Sequence, residues 1–112
     1  IIPVAPRGLD VHSVLQTVKQ VQQAGTPFAV ILTQVPHQGG EGEEARAGFA
    51  AKGIGLFDSR LHFRKDYYRA TPIGQTAAEL EPDGKAAAEL RAAYEEAKRL
   101  SGYTTKPISE VA

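Results

Sequence analysis

A chain of 112 residues has room for one domain, which buries roughly 65% of its unfolded surface and so holds a modest core without staples. The absence of cysteine excludes a disulfide scaffold, a thiolate metal site and a cysteine nucleophile, and it fits a reducing cytoplasm. Thirteen basic against thirteen acidic residues leave no overall pull toward nucleic acid or anionic lipid, and no apolar run approaches the ~20 residues of a membrane span.

Ile1–Ala5 reads as a buried strand. A short apolar run ending in Pro6-Arg7-Gly8 is how a strand leaves a parallel sheet at its carboxyl edge, beside which open α/β sheets bind ligands. Because this run opens at residue 1 and the chain has no Met, residues upstream are expected to be missing. Asp10 is expected to cap the helix that follows. Val11, Val14, Leu15, Val18 and Val21 then recur at helical spacing with Gln and Lys opposite, which predicts an amphipathic helix stopped by Ala24-Gly25. Phe28–Leu32, apolar on both faces, predicts a second interior strand closing at Thr33-Gln34-Val35-Pro36.

Residues 37–43 read as a flexible loop. Glu43 to Lys52 predicts a short helix with acids at its start and Gly53 at its stop. Ile54–Asp58 is a third short strand. Arg60–Ile73 is a charged and aromatic loop with a brief helix over Arg64–Ala70, and Gly74–Leu80 is a link or an edge strand. Glu81-Pro82-Asp83 is expected to cap a last helix with Ala87, Leu90, Tyr94, Ala97 and Leu100 as its apolar stripe, ended by Ser101-Gly102. Residues 103–112 form a flexible polar tail, leaving a domain over 1–102. Strand–helix alternation with short links predicts right-handed βαβ units: an α/β fold, a parallel sheet with flanking helices, as in the C-terminal part of a doubly wound, Rossmann-like three-layer domain. The open edge of the first strand is expected to drive self-association.

The ordered set of residues resembles the C-terminal half of ParA-type ATPases, the deviant Walker A group that includes MinD. That set is the strand followed by Pro6 and Asp10, the strand ending Thr33-Gln34-Val35, Leu61-x-x-Arg64-x-x-Tyr67-x-x-Ala70, Gly74-Gln75-Thr76, Leu80-Glu81-Pro82 and an Ala-rich helix. The likeness spans residues 1–101. It implies a parent protein that partitions plasmids or chromosomes, binds ATP with Mg²⁺, forms a homodimer around two nucleotides, binds nonspecific DNA and answers to a ParB-like centromere-binding partner. Such a protein is cytoplasmic and nucleoid-associated. The family's phosphate loop lies in its N-terminal half. Here Gly84-Lys85-Ala86 opens a helix, and the Gly39-Gly40-Glu41-Gly42 loop has no Lys and carries acids that repel phosphate, so this chain by itself is expected not to hydrolyse ATP.

The resemblance implies that this half builds the adenine side of the pocket. Gln34 stands where the family places an Asn that reads the base, and offers the same amide donor and acceptor, although a surface Gln at a strand end is the alternative. The segment of Leu61, His62 and Phe63 matches one that packs over the base; Phe63 can stack there or belong to the core. A DNA surface is expected from Arg60, Arg64, Lys65 and Arg69, opposed in sequence only by Asp66, with Lys85 matching a basic family position. A solvated charged face is the plain alternative. His12, His37 and His62 show no metal-ligand spacing and read as scattered surface residues, and no metal site is expected. Ser13 beside His12 sits on a helix, without the strained turn of a hydrolase nucleophile. The tail lacks the basic amphipathic pattern of a membrane-surface helix. Two further readings compete: a small α/β interaction module of the receiver type, and a non-enzymatic partner that keeps only a dimer or DNA face.

Overall fold

The computed structural model of the protein describes residues 1–102, apart from the side chains of residues 8–11; the tail expected at 103–112 lies outside the described residues. Three strands, β1 (Ile2–Val4), β2 (Val30–Val35) and β3 (Leu56–His62), form one parallel sheet in that order. The helices α1 (Gly8–Gln23) and α2 (Glu41–Ala51) make the two crossovers. Beyond β3 come α3 (Lys65–Ala70), a 3₁₀ turn (Thr71–Ile73), α4 (Ala77–Leu80) and the long α5 (Lys85–Ser101). This is the α/β, Rossmann-like arrangement that strand–helix alternation predicts.

The core follows from residue alternation. Ile2, Val4, Val30 and Leu32 point to the face where α1 lays Val14, Leu15, Val18 and Val21 and α2 lays Ala45 and Phe49. Phe49, at 1% exposed, is the largest fully buried side chain among the described residues. Ile31 points to the opposite face yet is also buried, so β2 is covered on both sides, as its unbroken apolar run requires. Gly42 allows α2 to sit close on β2: a Cβ there would lie 2.9 Å from Val35 Cγ1.

Several boundaries differ from expectation. The first helix starts at Gly8, flanked by an extended Arg7, so Asp10 falls inside its first turn and is not its cap; the side chains of Asp10 and Val11 lie outside the described residues. The loop over 37–43 is shorter, since Glu41, Glu43 and Glu44 already stand in the first turn of α2, where acids suit the dipole. The third strand runs further, to His62. Gly74–Leu80 is neither link nor edge strand: Thr76 accepts from the Glu79 amide and Glu79 bonds back to the Thr76 amide at 3.1 Å, a capping box that starts α4. The last helix is capped at Gly84, one residue beyond the segment expected to do so.

The stripe expected on α5 is also off by part of a turn. Of its five members Ala87 is fully buried and Leu90 and Ala97 are half-buried, but Tyr94 and Leu100 are exposed, while the face toward β3 also carries Ala86, Glu89 and Glu96. Glu96 is 5% exposed and accepts the backbone amides of Asp58 at 2.7 Å and Ser59 at 2.8 Å. These amides are unpaired because β3 bulges there, setting three residues between Leu56 and Arg60 against Ile31 alone. From α2, Arg46 donates to the carbonyls of Phe57 and Asp58 at 2.9 and 3.2 Å. An acid and a base from two helices thus complete the hydrogen bonds of a distorted border strand. At the other border, β1 pairs only with β2; the Ile2 amide bonds to Ala29, so the nitrogen of Pro3, which has no hydrogen to donate, faces outward.

Candidate functional site

The carboxyl ends of β2 and β3 open onto a pocket of about 630 Å³. Its floor forms where β2 changes conformation. Leu32 faces Arg60 and Val35 faces His62, so two residues of β2, Thr33 and Gln34, stand against Leu61 alone. The extra residue is accommodated by Gln34, which has φ 51° and is the non-glycine residue with a left-handed backbone among the described residues. The kink turns Gln34 out of the ladder and onto the pocket rim, where its side-chain oxygen accepts a 3.3 Å bond from Arg7. Gln34 is exposed, and its side-chain amide nitrogen makes no hydrogen bond among the described residues. A strained backbone at a strand end beside a cavity is a feature that marks ligand sites.

Opposite Gln34 the wall is made by the end of β3 and by α3. Leu61, Phe63, Tyr67, Tyr68 and Pro72 give it an apolar, aromatic surface. Phe63 and Tyr68 are each about half exposed, with ring centroids 6.0 Å apart and planes tilted by 44°. The strand end is held in place by the Phe63 amide bonding to Val35 and by His37, whose Nε2 donates to the Phe63 carbonyl at 2.9 Å. A carbonyl only accepts, so His37 carries a proton on Nε2. His37 and His62 stack at 5.4 Å with planes 10° apart, so these two histidines are not scattered, and His12 alone stands away from them.

Behind this wall sits a residue that sequence reasoning missed. Glu89 of α5 accepts from Arg64 through Nε at 2.9 Å and Nη2 at 2.7 Å, from His62 Nδ1 at 2.7 Å, from the Tyr67 hydroxyl at 3.0 Å and from the His62 amide at 3.1 Å. Burial pushes the Glu89 carboxyl up, but the bonds from Arg64, His62 and Tyr67 outweigh it and hold the group below the usual glutamate range. Its partners respond in the opposite direction: the bond to Glu89 raises Arg64, and burial followed by the same carboxylate pushes the Tyr67 hydroxyl well up, keeping it a donor. Glu96 follows the same logic, with burial opposed by the Ser59 and Asp58 amides, and is lowered. The signal for both was available. Glu89 and Glu96 lie seven apart, on one helix face with the buried Ala86, where an apolar residue would be ordinary.

The residues expected to meet a nucleotide, Gln34, His62 and Phe63, come together on this one pocket. The residues expected to meet DNA divide. Arg64 is a wall residue bonded to Glu89, with its side chain 21% exposed. Arg60 pairs with Glu43 at 2.7 Å, and that bond, ahead of simple charge attraction, lowers Glu43. The basic run is therefore opposed by more than Asp66: α2 and α5 bring a carboxylate to two of its four members. Lys65, Arg69 and Lys85 are exposed and make no ion pair among the described residues. Lys65 and Lys85 share a second cavity of about 450 Å³ that meets the first at Phe63, Arg64 and Tyr68. Among the described residues no cluster of His, Asp and Glu is arranged to hold a metal, and no helix is long and apolar enough to cross a membrane. No protein-family model matches the chain, and no curated protein matches its sequence.

Proposed function

We propose that the chain forms the base-gripping side of the ATP site in a ParA-type partition ATPase that serves plasmid or chromosome segregation. The observation that carries this reading is the convergence of Gln34, His62 and Phe63, up to 29 positions apart in the sequence, on one apolar pocket at the carboxyl edge of a parallel sheet. That edge is where doubly wound sheets bind nucleotides. A planar base has an aromatic surface to stack on in Phe63 and Tyr68 and a carboxamide to read its edge in Gln34, a combination typical of small-molecule sites.

The described residues fit the base and do not fit the rest of the nucleotide. They contain no glycine-rich loop bearing a Lys, and no acidic cluster for Mg²⁺. In this reading the phosphates and Mg²⁺ are held by residues outside this sequence, and the chain alone binds the nucleoside part without hydrolysing ATP. A homodimer, a ParB-like partner and a cytoplasmic, nucleoid-associated location belong to the same reading. Titration of the ¹⁵N-labelled chain with adenosine and with ATP tests it. Both ligands should shift the amides of Gln34, His62 and Phe63 with similar affinity, because the phosphates add no contact. Amides that stay unmoved up to the solubility of adenosine refute the reading.

A second reading, a non-enzymatic α/β module that binds DNA, is favoured by one observation. Lys65 and Lys85, exposed and in no ion pair among the described residues, flank a cavity whose wall includes Phe63, Arg64, Asp66 and Tyr68. Exposed cations side by side suit a nucleic-acid phosphate backbone. A Lys65→Glu/Lys85→Glu variant should lose its gel shift on nonspecific duplex and leave adenosine binding intact. Unchanged DNA retention refutes this use of the two lysines.

A further inference from the structure

Three polar groups on the pocket wall, Arg64, His62 and Tyr67, share a destination. Among the described residues Arg64 is the one formally charged side chain that lines the pocket, and His62 and Tyr67 supply two more hydrogen-bond donors. All three direct those donors to the same carboxylate, which lies behind the wall and not on it. The Arg64–Glu89 contact is 2.7 Å, with side chains 21% and 14% exposed, so the two charges cancel over a few ångströms. An anion entering the pocket meets a guanidinium whose Nε and Nη2 already serve Glu89, leaving Nη1 as its outer face, and whose charge is offset by the carboxylate directly behind it. A neutral ring meets Phe63, Tyr68 and the carboxamide of Gln34.

We infer that Glu89 is the positioning residue that sets the specificity of this pocket: by engaging Arg64, His62 and Tyr67 together, it makes the pocket take a neutral planar heterocycle and refuse a planar anion. The inference rests on the proposal that the pocket takes a base, and it names the chemical class of that ligand and the residue that enforces it. Glu89 acts through its neighbours and needs no contact with the ligand.

The test compares two heterocyclic probes of opposite character, adenosine as the neutral ring and orotate as the planar anion, on the full chain by ¹⁵N–¹H correlation spectra. With the wild type, adenosine should shift Gln34 and Phe63 and orotate should not. With Glu89→Gln, which keeps the shape and removes the charge, orotate association should rise by about tenfold or more, the scale of one half-buried charge contact. Adenosine should change by less than about threefold, since it meets no charge. Adding Arg64→Gln to Glu89→Gln should abolish the gain, which a merely structural role for Glu89 would not produce. A folded Glu89→Gln chain that gains nothing for orotate overturns the inference. Should that variant not fold, the wild type decides through its Arg64 Nε–H resonance. The signal should exchange slowly with solvent and ignore orotate, and a shift with orotate overturns the inference. The two proposals fail separately: a wild type blind to adenosine, with orotate gained in Glu89→Gln, removes the base and keeps Glu89 as the gatekeeper of charge. Adenosine bound by the wild type, with orotate equal in both chains, does the reverse.

Discussion

The two sides of this small sheet are held by different physics. Where α1 and α2 lie on β1 and β2, the contact is Val, Ile, Leu and Phe49, without a polar group in the cluster. On the side of α5 and β3, the buried Ala86, Ala87 and Phe57 are joined by two carboxylates, Glu89 and Glu96, that complete the hydrogen bonds of a bulged border strand and of the residues beyond it. The apolar side is non-directional and tolerates shifts in register of the helix. The carboxylate side is directional, because each oxygen needs a donor at a defined distance. The pocket stands on the directional side, which fits the need of a ligand site for side chains held in one geometry.

Breaking each side in turn should give the largest effects. Phe49→Ala should destabilise the chain by about 3–5 kcal/mol in urea unfolding, from lost burial and the cavity left behind. Glu89→Ala should cost about 3 kcal/mol at neutral pH, because it leaves Arg64 uncompensated and several donors without an acceptor. Glu96→Ala should cost about 2 kcal/mol through the two stranded amides of Asp58 and Ser59. Equal stability of Glu89→Ala and the wild type would contradict the contrast drawn between the two sides.

Acid sharpens the comparison. Glu89 and Glu96 are held below their ordinary value of about 4.5, so their contribution is complete above that pH and is lost as pH falls through their lowered folded values. The wild type should lose stability progressively below about pH 4.5, and a Glu89→Gln/Glu96→Gln chain should show a flatter acid limb. Phe49→Ala should lower the whole curve without changing its slope, which thermal melts across pH 3–7 would check. At the alkaline end the sign is opposite: Tyr67 is raised, so its share is present below about pH 10 and fades as pH rises beyond it.

The smallest effects belong to the surface. Glu43→Gln removes the exposed pair with Arg60 and should leave the melting temperature unchanged within error. Gln34→Gly should raise stability by up to about 1 kcal/mol, since glycine takes a left-handed backbone without strain, and should weaken adenosine binding. A stability gain with binding intact would show that the kink, and not the side chain of Gln34, serves the pocket.

Much of the fold was legible along the chain, and the misses are instructive. Helix stops at Gly25, Gly53 and Gly102 were readable because a left-handed residue after a helix calls for glycine, and all three adopt it. The Thr76-Ala77-Ala78-Glu79 capping box is equally local, yet Gly74–Leu80 reads as a link or an edge strand until the box is recognised as the start of α4. The third strand, expected over Ile54–Asp58, instead spans Leu56–His62 and so takes in the polar Ser59, Arg60 and His62. Asp58, Ser59 and Arg60 are tolerated there only because Glu96, Arg46 and Glu43 arrive from other elements.

The sequence by itself determined the class of fold, the covered strand β2 and the order of the strands and long helices, whereas the grouping of Gln34, His62 and Phe63 was expected only from the family resemblance. Hydrophobic periodicity and turn chemistry are properties of neighbouring residues, and the sheet's parallel order carries strand ends to a common edge. Only the tertiary structure decided which charges are neutral pairs and which remain open. Arg64 finds Glu89 at a separation of 25 residues and Arg60 finds Glu43 at 17, while Lys65 and Lys85 find no carboxylate among the described residues. A charge has no periodicity that names its partner; that choice is made when helices with their own packing reasons come to rest on a strand.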